Sequence, residues 1–287
     1  MAQTTSHVGQ KYYVPQPMAW PILGSIALFL MALGGVFAMN SMSTGWIAFA
    51  AGVMLILFMM FRWFGAVIAE SESGKYAAQE DLSFRWGMSW FIFSEVMFFA
   101  GFFGALYWAR VQSVPDLASM LHSETLWPGF TEHWPSAGPG FTEKFTPMGA
   151  WGIPAINTLL LLSSGVTLTI AHHALKENHR GRLNLFLFLT VALGAVFIVL
   201  QGYEYSHAYS ELNLKLSTGV YGSTFFMLTG FHGFHVTMGA IMLAVVLVRC
   251  MKGHFRPDHH FAFEAVAWYW HFVDVVWLGL FVLVYWL

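Results

Sequence analysis

Residues 84–109 read FRWGMSWFIFSEVMFFAGFFGALYWA, an apolar run in which the charged residues are Arg85 and Glu95. A hydrocarbon core about 30 Å thick is crossed by about 20 helical residues, because each residue of an α-helix rises 1.5 Å. A helix of this run would cross the core with Glu95 near the midplane, about 15 Å from Arg85. The stretch therefore predicts a membrane-spanning helix.

Six other segments share this length and apolarity. With the first run they predict seven spanning helices, at about 20–39, 46–69, 84–109, 149–175, 184–205, 218–249 and 264–287. Of the 287 residues, 57% are hydrophobic and 10% are charged, whereas soluble domains carry about 25% charged residues. We therefore predict an all-α, polytopic membrane protein with a single seven-helix domain over residues 1–287.

The positive charges predict the orientation of the chain. Ten of the 13 Lys and Arg residues lie on the side of the N-terminus, and the other three are Arg110, Lys144 and Lys215. Because Lys and Arg concentrate on the inner side of membranes, the N-terminus is expected inside and the C-terminus outside. We expect the bacterial cytoplasmic membrane, with the mitochondrial inner membrane as the alternative. The outer loop 110–148 is expected to form either a cap or subunit contact, or an ordinary surface loop.

Two acidic residues, Glu95 and Asp274, are the ones expected deep in the membrane. A charged carboxylate there costs at least ~2.5 kcal/mol, so such residues are candidates for function. Glu95 is either a functional carboxyl group or a protonated one that bonds to Ser94 or to a neighbouring helix. His271 lies three residues before Asp274, on the same helix face. The two form either a proton-holding pair or a structural pair that satisfies two buried polar groups.

The remaining histidines do not predict a haem or metal site. A haem held by two histidines requires that they face each other at the same depth in the membrane. His232 and His235 lie deeper in the sixth span than His271 lies in the seventh, so they do not form such a pair with His271. We expect them to pack and to form hydrogen bonds between helices. The adjacent pairs 172–173 and 259–260 are poor chelates and are expected to be solvated. The net charge of −2 argues against a nucleic-acid partner, and the single Cys250 excludes a cysteine-based metal site.

A basic run precedes the seventh span, next to the membrane surface. Such runs attract anionic lipid headgroups by about 1 kcal/mol per Lys or Arg, although the run also suits a solvated face that only sets topology. Trp63 is expected near an interface, where tryptophans anchor spanning helices. The basic run consists of Arg249, Lys252, His254, Arg256, His259 and His260.

Small residues predict where helices approach closely. The third span has two pairs of small residues spaced by four, Ala100 with Gly104 and Gly101 with Ala105, and the sixth has Gly230, Gly233 and Gly239. Small side chains let the backbones of membrane helices come into contact. These positions indicate packing faces and imply little about chemistry.

Three long strings and two shorter segments are the most distinctive parts of the chain. They are FRWGMSWFIFSEVMFFAGFFGALYWA (84–109), GVYGSTFFMLTGFHGFHV (219–236), HHFAFEAVAWYWHFVDVVW (259–277), WPILG (20–24) and AHHALKENHR (171–180). The three long strings strongly resemble subunit III of cytochrome c oxidase of the aa3 type, in the haem–copper oxidase superfamily, and the two shorter segments fit as well. The resemblance covers essentially the whole chain.

The resemblance implies a non-redox accessory subunit of a proton-pumping terminal oxidase. It implies that haem and copper lie in partner subunits, that subunit I is the main contact and that subunit II is also a partner. It implies two first helices that splay from the other five around a cleft filled with phospholipid. The subunit would sustain proton uptake and protect the active site during turnover. Glu95 matches the family's carbodiimide-reactive glutamate, and the basic run falls in its lipid-headgroup region.

One function from a different class remains open. Glu95 and Asp274 would also suit an autonomous proton-coupled transporter. Purification separates the two hypotheses, because only an accessory subunit is isolated with a haem-bearing partner in mild detergent.

Overall fold

The computed structural model describes residues 13–14, 17–119, 125–141 and 143–287, and they form seven helices long and apolar enough to cross a membrane. The prediction of an all-α polytopic fold is confirmed. We number the spanning helices α1 to α7 in chain order. They are α1 (Trp20–Met39), α2 (Thr44–Glu72), α3 (Ala78–Trp108), α4 (Ile153–Lys176), α5 (Arg180–Ser210), α6 (Gly219–Met251) and α7 (Phe261–Leu280).

Most helix ends differ from their predicted positions by a few residues, and two of these differences involve identifiable local structure. The third span continues past residue 110, through a π-helical turn (Ala109–Ser113) and a helical turn (Val114–Leu117). The fourth span begins four residues late, at Ile153, because Gly152 has a φ of 111° and Pro154 occupies the first turn. Glycine adopts such a φ without strain, and proline suits a first turn, whose N–H groups have no partner within the helix.

The chain divides into two compact units, Met1–Phe84 and Arg85–Leu287, which are described separately. The single domain over 1–287 stays a prediction, as do the splay of the first two helices and the orientation in the membrane.

In the first unit, α1 and α2 pack through glycines. A Cβ atom built on Gly34 would lie 2.4 Å from the backbone nitrogen of Phe49, and one on Gly45 would lie 2.3 Å from the backbone nitrogen of Ala38. No larger residue fits at this distance, so the two backbones are in direct contact, as is common between membrane helices.

The N-terminus of α3 is capped by its own third residue. The buried Glu80 accepts a hydrogen bond from the backbone N–H of Ala77 at 2.9 Å and another from that of Tyr13 at 2.5 Å. A glutamate at this position satisfies N–H groups that have no partner in the first helical turn.

In the second unit, α4 packs against α5, α5 against α6, α6 against α7, and α7 against α4. Trp270 of α7 fills the centre of this four-helix bundle. Its indole ring lies where a Cβ atom on Gly194 or Gly239 would be, and its Nε1–H donates to Ser164 Oγ at 2.8 Å. A large side chain thus meets a glycine on each of two neighbouring helices.

The glycines predicted to mediate packing divide into two groups. Gly239 packs against Trp270. A Cβ atom built on Gly230 would lie 3.7 Å from the Tyr205 hydroxyl oxygen, which is an ordinary contact. Gly101, Gly104 and Gly233 have no atom of the described residues within 4 Å of a built Cβ atom. Their small size is therefore not explained by packing within this part of the chain.

Candidate functional site

Glu95 of α3 contacts His235 of α6. The carboxylate Oε2 lies 2.9 Å from His235 Nε2, and His235 Nδ1 lies 2.6 Å from the carbonyl oxygen of Phe231. A carbonyl oxygen only accepts hydrogen bonds, so Nδ1 carries a proton and donates it. Nε2 and the carboxylate must then share one further proton, either as a neutral acid on a neutral imidazole or as an ion pair.

Aromatic rings surround this pair. His235 lies 5.0 Å from the ring of Phe99 and stacks on Tyr269 at 6.3 Å, measured between ring centroids. The side chains of His235 and Glu95 are 10% and 21% exposed. An apolar surrounding strengthens the hydrogen bond between them and makes an unpaired charge costly.

The neighbouring histidine, His232, has a different environment. Its Nε2 lies 3.2 Å from the carbonyl oxygen of Val273, and its ring packs between Phe197 and Trp277 at 5.9 and 5.1 Å. It links α6 to α7 in the core, as expected of a histidine that forms hydrogen bonds between helices.

Asp274 and His271 lie side by side on α7. His271 Nδ1 is 3.6 Å from Asp274 Oδ2, too far for a hydrogen bond, and the side chains are 44% and 8% exposed. Gly165 of α4 makes room for the carboxylate, because a Cβ atom there would lie 2.6 Å from Oδ2. Asp274 therefore faces α4, whereas Glu95 faces α6.

Sequence reasoning missed a further carboxyl group that is buried within the bundle. Glu204 of α5 is 1% exposed and accepts a hydrogen bond at 2.6 Å from the hydroxyl of Tyr285, near the C-terminus. Gln201 donates a weaker one at 3.4 Å. The sequence did not single out Glu204, because this residue lies at the edge of its predicted apolar run.

The basic run contains both exposed and buried residues. Lys252, Arg256 and His259 are exposed, whereas Arg249 is 9% exposed and places its guanidinium 4.4 Å from the ring of Phe255. A headgroup could reach the first three directly.

Three other predicted residues fall outside this exposed group. His254 is half-buried, and Trp63 is 40% exposed on α2, in the first unit. His260 is buried beside Glu264, so the expectation that both members of the pair 259–260 are solvated is wrong for His260. The backbone turn before α7 directs these adjacent side chains into different environments.

Known proteins resemble the chain over almost its full length. A family model described as cytochrome c oxidase subunit III matches residues 10–287. Cytochrome c oxidase subunit 3 of Dugong dugon is 40% identical over 282 residues, which are 98% of this chain and 98% of that protein. The proteins of the same name from Chondrus crispus and Marchantia polymorpha are 41% and 42% identical, covering 96% and 97% of this chain and 93% and 98% of their own length.

Proposed function

Because the chain belongs to the family of cytochrome c oxidase subunit III, we propose that it is the non-redox accessory subunit of a proton-pumping oxidase. It packs mainly against subunit I, with subunit II as a second partner. It sustains proton uptake and protects the active site during turnover. The distribution of Lys and Arg supports an N-terminus on the inner side. The proposed location is the bacterial cytoplasmic membrane, with the mitochondrial inner membrane as the alternative.

The observation that carries the proton-related part of this proposal is the pair formed by Glu95 and His235. The pair holds one proton between two groups that can both accept it, within a largely apolar surrounding. A proton that moves from the carboxyl group to the imidazole within such a pair leaves an ion pair rather than an isolated charge, which lowers the cost of charge separation in an apolar surrounding. Glu95 is 21% exposed, so part of its side chain can contact a partner subunit or lipid.

The two buried histidines of α6 support the assignment of haem to partner subunits. His232 Nε2 faces the carbonyl oxygen of Val273, and His235 Nε2 faces Glu95. A haem iron would have to displace both contacts, and each would leave a buried polar group unpaired.

Phospholipid binding is supported by the exposed part of the basic run. Lys252 and Arg256 lie between the end of α6 and the start of α7, where anionic headgroups would be. The adjoining helices expose apolar side chains such as Val248 and Met251, against which acyl chains could lie. The basic side chains would thus pair with the headgroup, and the apolar side chains would contact the acyl chains.

The accessory role is tested by removing the chain from the purified oxidase. We expect an unchanged haem absorption spectrum and a shorter active lifetime during turnover. Loss of a haem band would contradict a non-redox subunit. Isolation of the chain with no haem-bearing partner, together with proton-coupled uptake of a solute by vesicles containing it, would favour the transporter hypothesis instead.

The role of Glu95 is tested by carbodiimide labelling of the intact complex. Glu95→Gln should assemble normally and lose the label on α3, because the reagent modifies a protonated carboxyl group. Asp274→Asn, which changes the other predicted deep carboxyl group, is the matched control and should keep that label. Persistent labelling of α3 in Glu95→Gln would refute the assignment.

A further inference from the structure

Three side chains meet at the end of the bundle where α4 ends and α7 begins. His172 lies one turn before the end of α4, His260 directly precedes α7, and Glu264 lies one turn into α7. Residues four apart share a helix face, so His260 and Glu264 lie together, and the packing of α4 against α7 adds His172. One ligand atom from each of the three lies within 4.8 Å of the others.

The distances within this cluster suit a tetrahedral metal ion. His260 Nε2 is 3.1 Å and His172 Nε2 is 3.7 Å from the same oxygen, Oε1 of Glu264. With metal–ligand bonds of about 2.0–2.2 Å, neighbouring ligand atoms of a tetrahedral zinc ion lie about 3.3–3.6 Å apart. The two measured distances lie on either side of this range.

The hydrogen bonding of His260 leaves a lone pair directed at the carboxylate. Its Nδ1 lies 3.1 Å from the carbonyl oxygen of Arg256, which accepts the ring N–H. Nε2 is then an acceptor, and within the described residues it forms no hydrogen bond, although His260 is only 8% exposed. Two acceptors 3.1 Å apart repel each other unless a proton or a metal cation lies between them, and a metal cation also provides for the second histidine on the same oxygen.

A hydrogen bond from one ring nitrogen to a backbone carbonyl, as His260 forms, is typical of histidines that bind metals. A ligating imidazole usually donates its second ring N–H to a carbonyl or carboxylate, which fixes the tautomer and the direction of the ring. His172 Nε2 is likewise buried and forms no hydrogen bond to any residue that the structure describes. Two imidazole nitrogens thus lack partners on the side where the carboxylate lies.

Arg85 of α3 orients the carboxylate. Its guanidinium pairs with Oε2 of Glu264, and this leaves Oε1 for the two histidines. A ligating carboxylate whose second oxygen is held by a hydrogen bond is the usual arrangement around a bound metal.

We propose that His172, His260 and Glu264 bind a divalent transition-metal ion of the zinc class. Two imidazoles and a carboxylate form a known zinc ligand set, with a fourth position open to water. Magnesium and calcium prefer sets made of oxygen ligands. The side chain of His172 is 22% exposed, so the ion reaches the site from this side. The bound ion ties α4 to α7 and, through Arg85, to α3.

The test measures zinc in the purified oxidase complex that contains this chain. The complex is stripped with a chelator, equilibrated with buffered Zn²⁺ and analysed by mass spectrometry, with zinc counted per chain. His260→Ala and His172→Ala should each hold one zinc ion fewer than the wild type. The matched control, His259→Ala, changes the adjacent exposed histidine and should keep the full content. Equal zinc in all four proteins would overturn the proposal.

His172→Cys separates loss of the site from loss of the fold. This variant keeps a ligand, so it should retain zinc, and its X-ray absorption should show one sulfur at about 2.3 Å that the wild type lacks. Zinc bound without that sulfur would place the ion elsewhere and refute the proposal. The result does not depend on the proposed function, whose failure would appear separately as the absence of haem from the sample.

Discussion

Replacing Gly34 by alanine should force α1 away from α2, whereas the same change at the adjacent Gly35 should not. A Cβ atom on Gly34 would lie 2.4 Å from the backbone nitrogen of Phe49 and 2.8 Å from the carbonyl oxygen of Gly45. On Gly35 it would meet no atom of the described residues within 4 Å. The two variants differ only in whether the new methyl group enters the neighbouring helix.

The size of the effect follows from these distances. Ordinary contact begins at 3.4 Å, so the methyl group on Gly34 falls about 1 Å short of it, against backbone atoms that cannot rotate away. Overpacking of this kind costs about 1–3 kcal/mol. Both variants also gain up to about 1 kcal/mol from replacing a helical glycine, which cancels in their comparison. Gly34→Ala should therefore unfold about 5- to 150-fold more readily than Gly35→Ala.

The measurement is equilibrium unfolding in mixed micelles with a rising fraction of sodium dodecyl sulfate. Fluorine NMR of 5-fluorotryptophan at Trp46 follows α2, and the signal is assigned with Trp46→Phe. The folded and unfolded populations yield the free energy of unfolding of each variant. Equal free energies for Gly34→Ala and Gly35→Ala would show that the two backbones are not in contact, and the argument from packing would be wrong.

Three further predictions concern the second unit. Tyr285→Phe removes the hydroxyl that donates to the buried Glu204 and should lower the free energy of unfolding by about 1–3 kcal/mol; an unchanged value in a denaturant titration would contradict that bond. Trp270→Phe keeps a ring in the core but removes the hydrogen bond to Ser164, so it should lower the free energy of unfolding by about 1 kcal/mol for the bond and further for the cavity beside the smaller ring. Trp270→Ala should lower it by about 3–5 kcal/mol. Similar losses of stability in both variants would refute the packing role. Lys252→Gln should weaken binding of anionic phospholipid about fivefold, equivalent to about 1 kcal/mol, in native mass spectrometry, whereas zwitterionic lipid should bind as before.

The seven spans were predictable because hydropathy is a local property of the chain. Their ends were less predictable, since they depend on backbone chemistry that hydropathy does not register. Gly152 and Pro154 delay the start of α4, and a π-helical turn carries the third span on to Leu117. The shared family could also be recognised from the long strings, whose order of residues is far more specific than their composition.

The individual partners of the site residues were harder to predict. Spacing along one helix suggested the pair of His271 and Asp274, but these atoms lie beyond hydrogen-bond distance. Glu95 instead bonds to His235, 140 residues away in the sequence. Spacing within a helix identifies residues on the same face, and it does not indicate which face of another helix they meet.

The sequence by itself determined that this chain is a helical membrane protein, and it singled out Glu95 as an acidic residue deep in a span. Both conclusions rest on the cost of placing polar groups in hydrocarbon, which each segment bears independently of the others. Only the tertiary structure decided that Glu95 contacts His235, that Glu204 is buried, and that His172 and His260 converge on Glu264. Those contacts depend on how helices distant in sequence rotate and pack, because a side chain's partner is set by the surface that faces it.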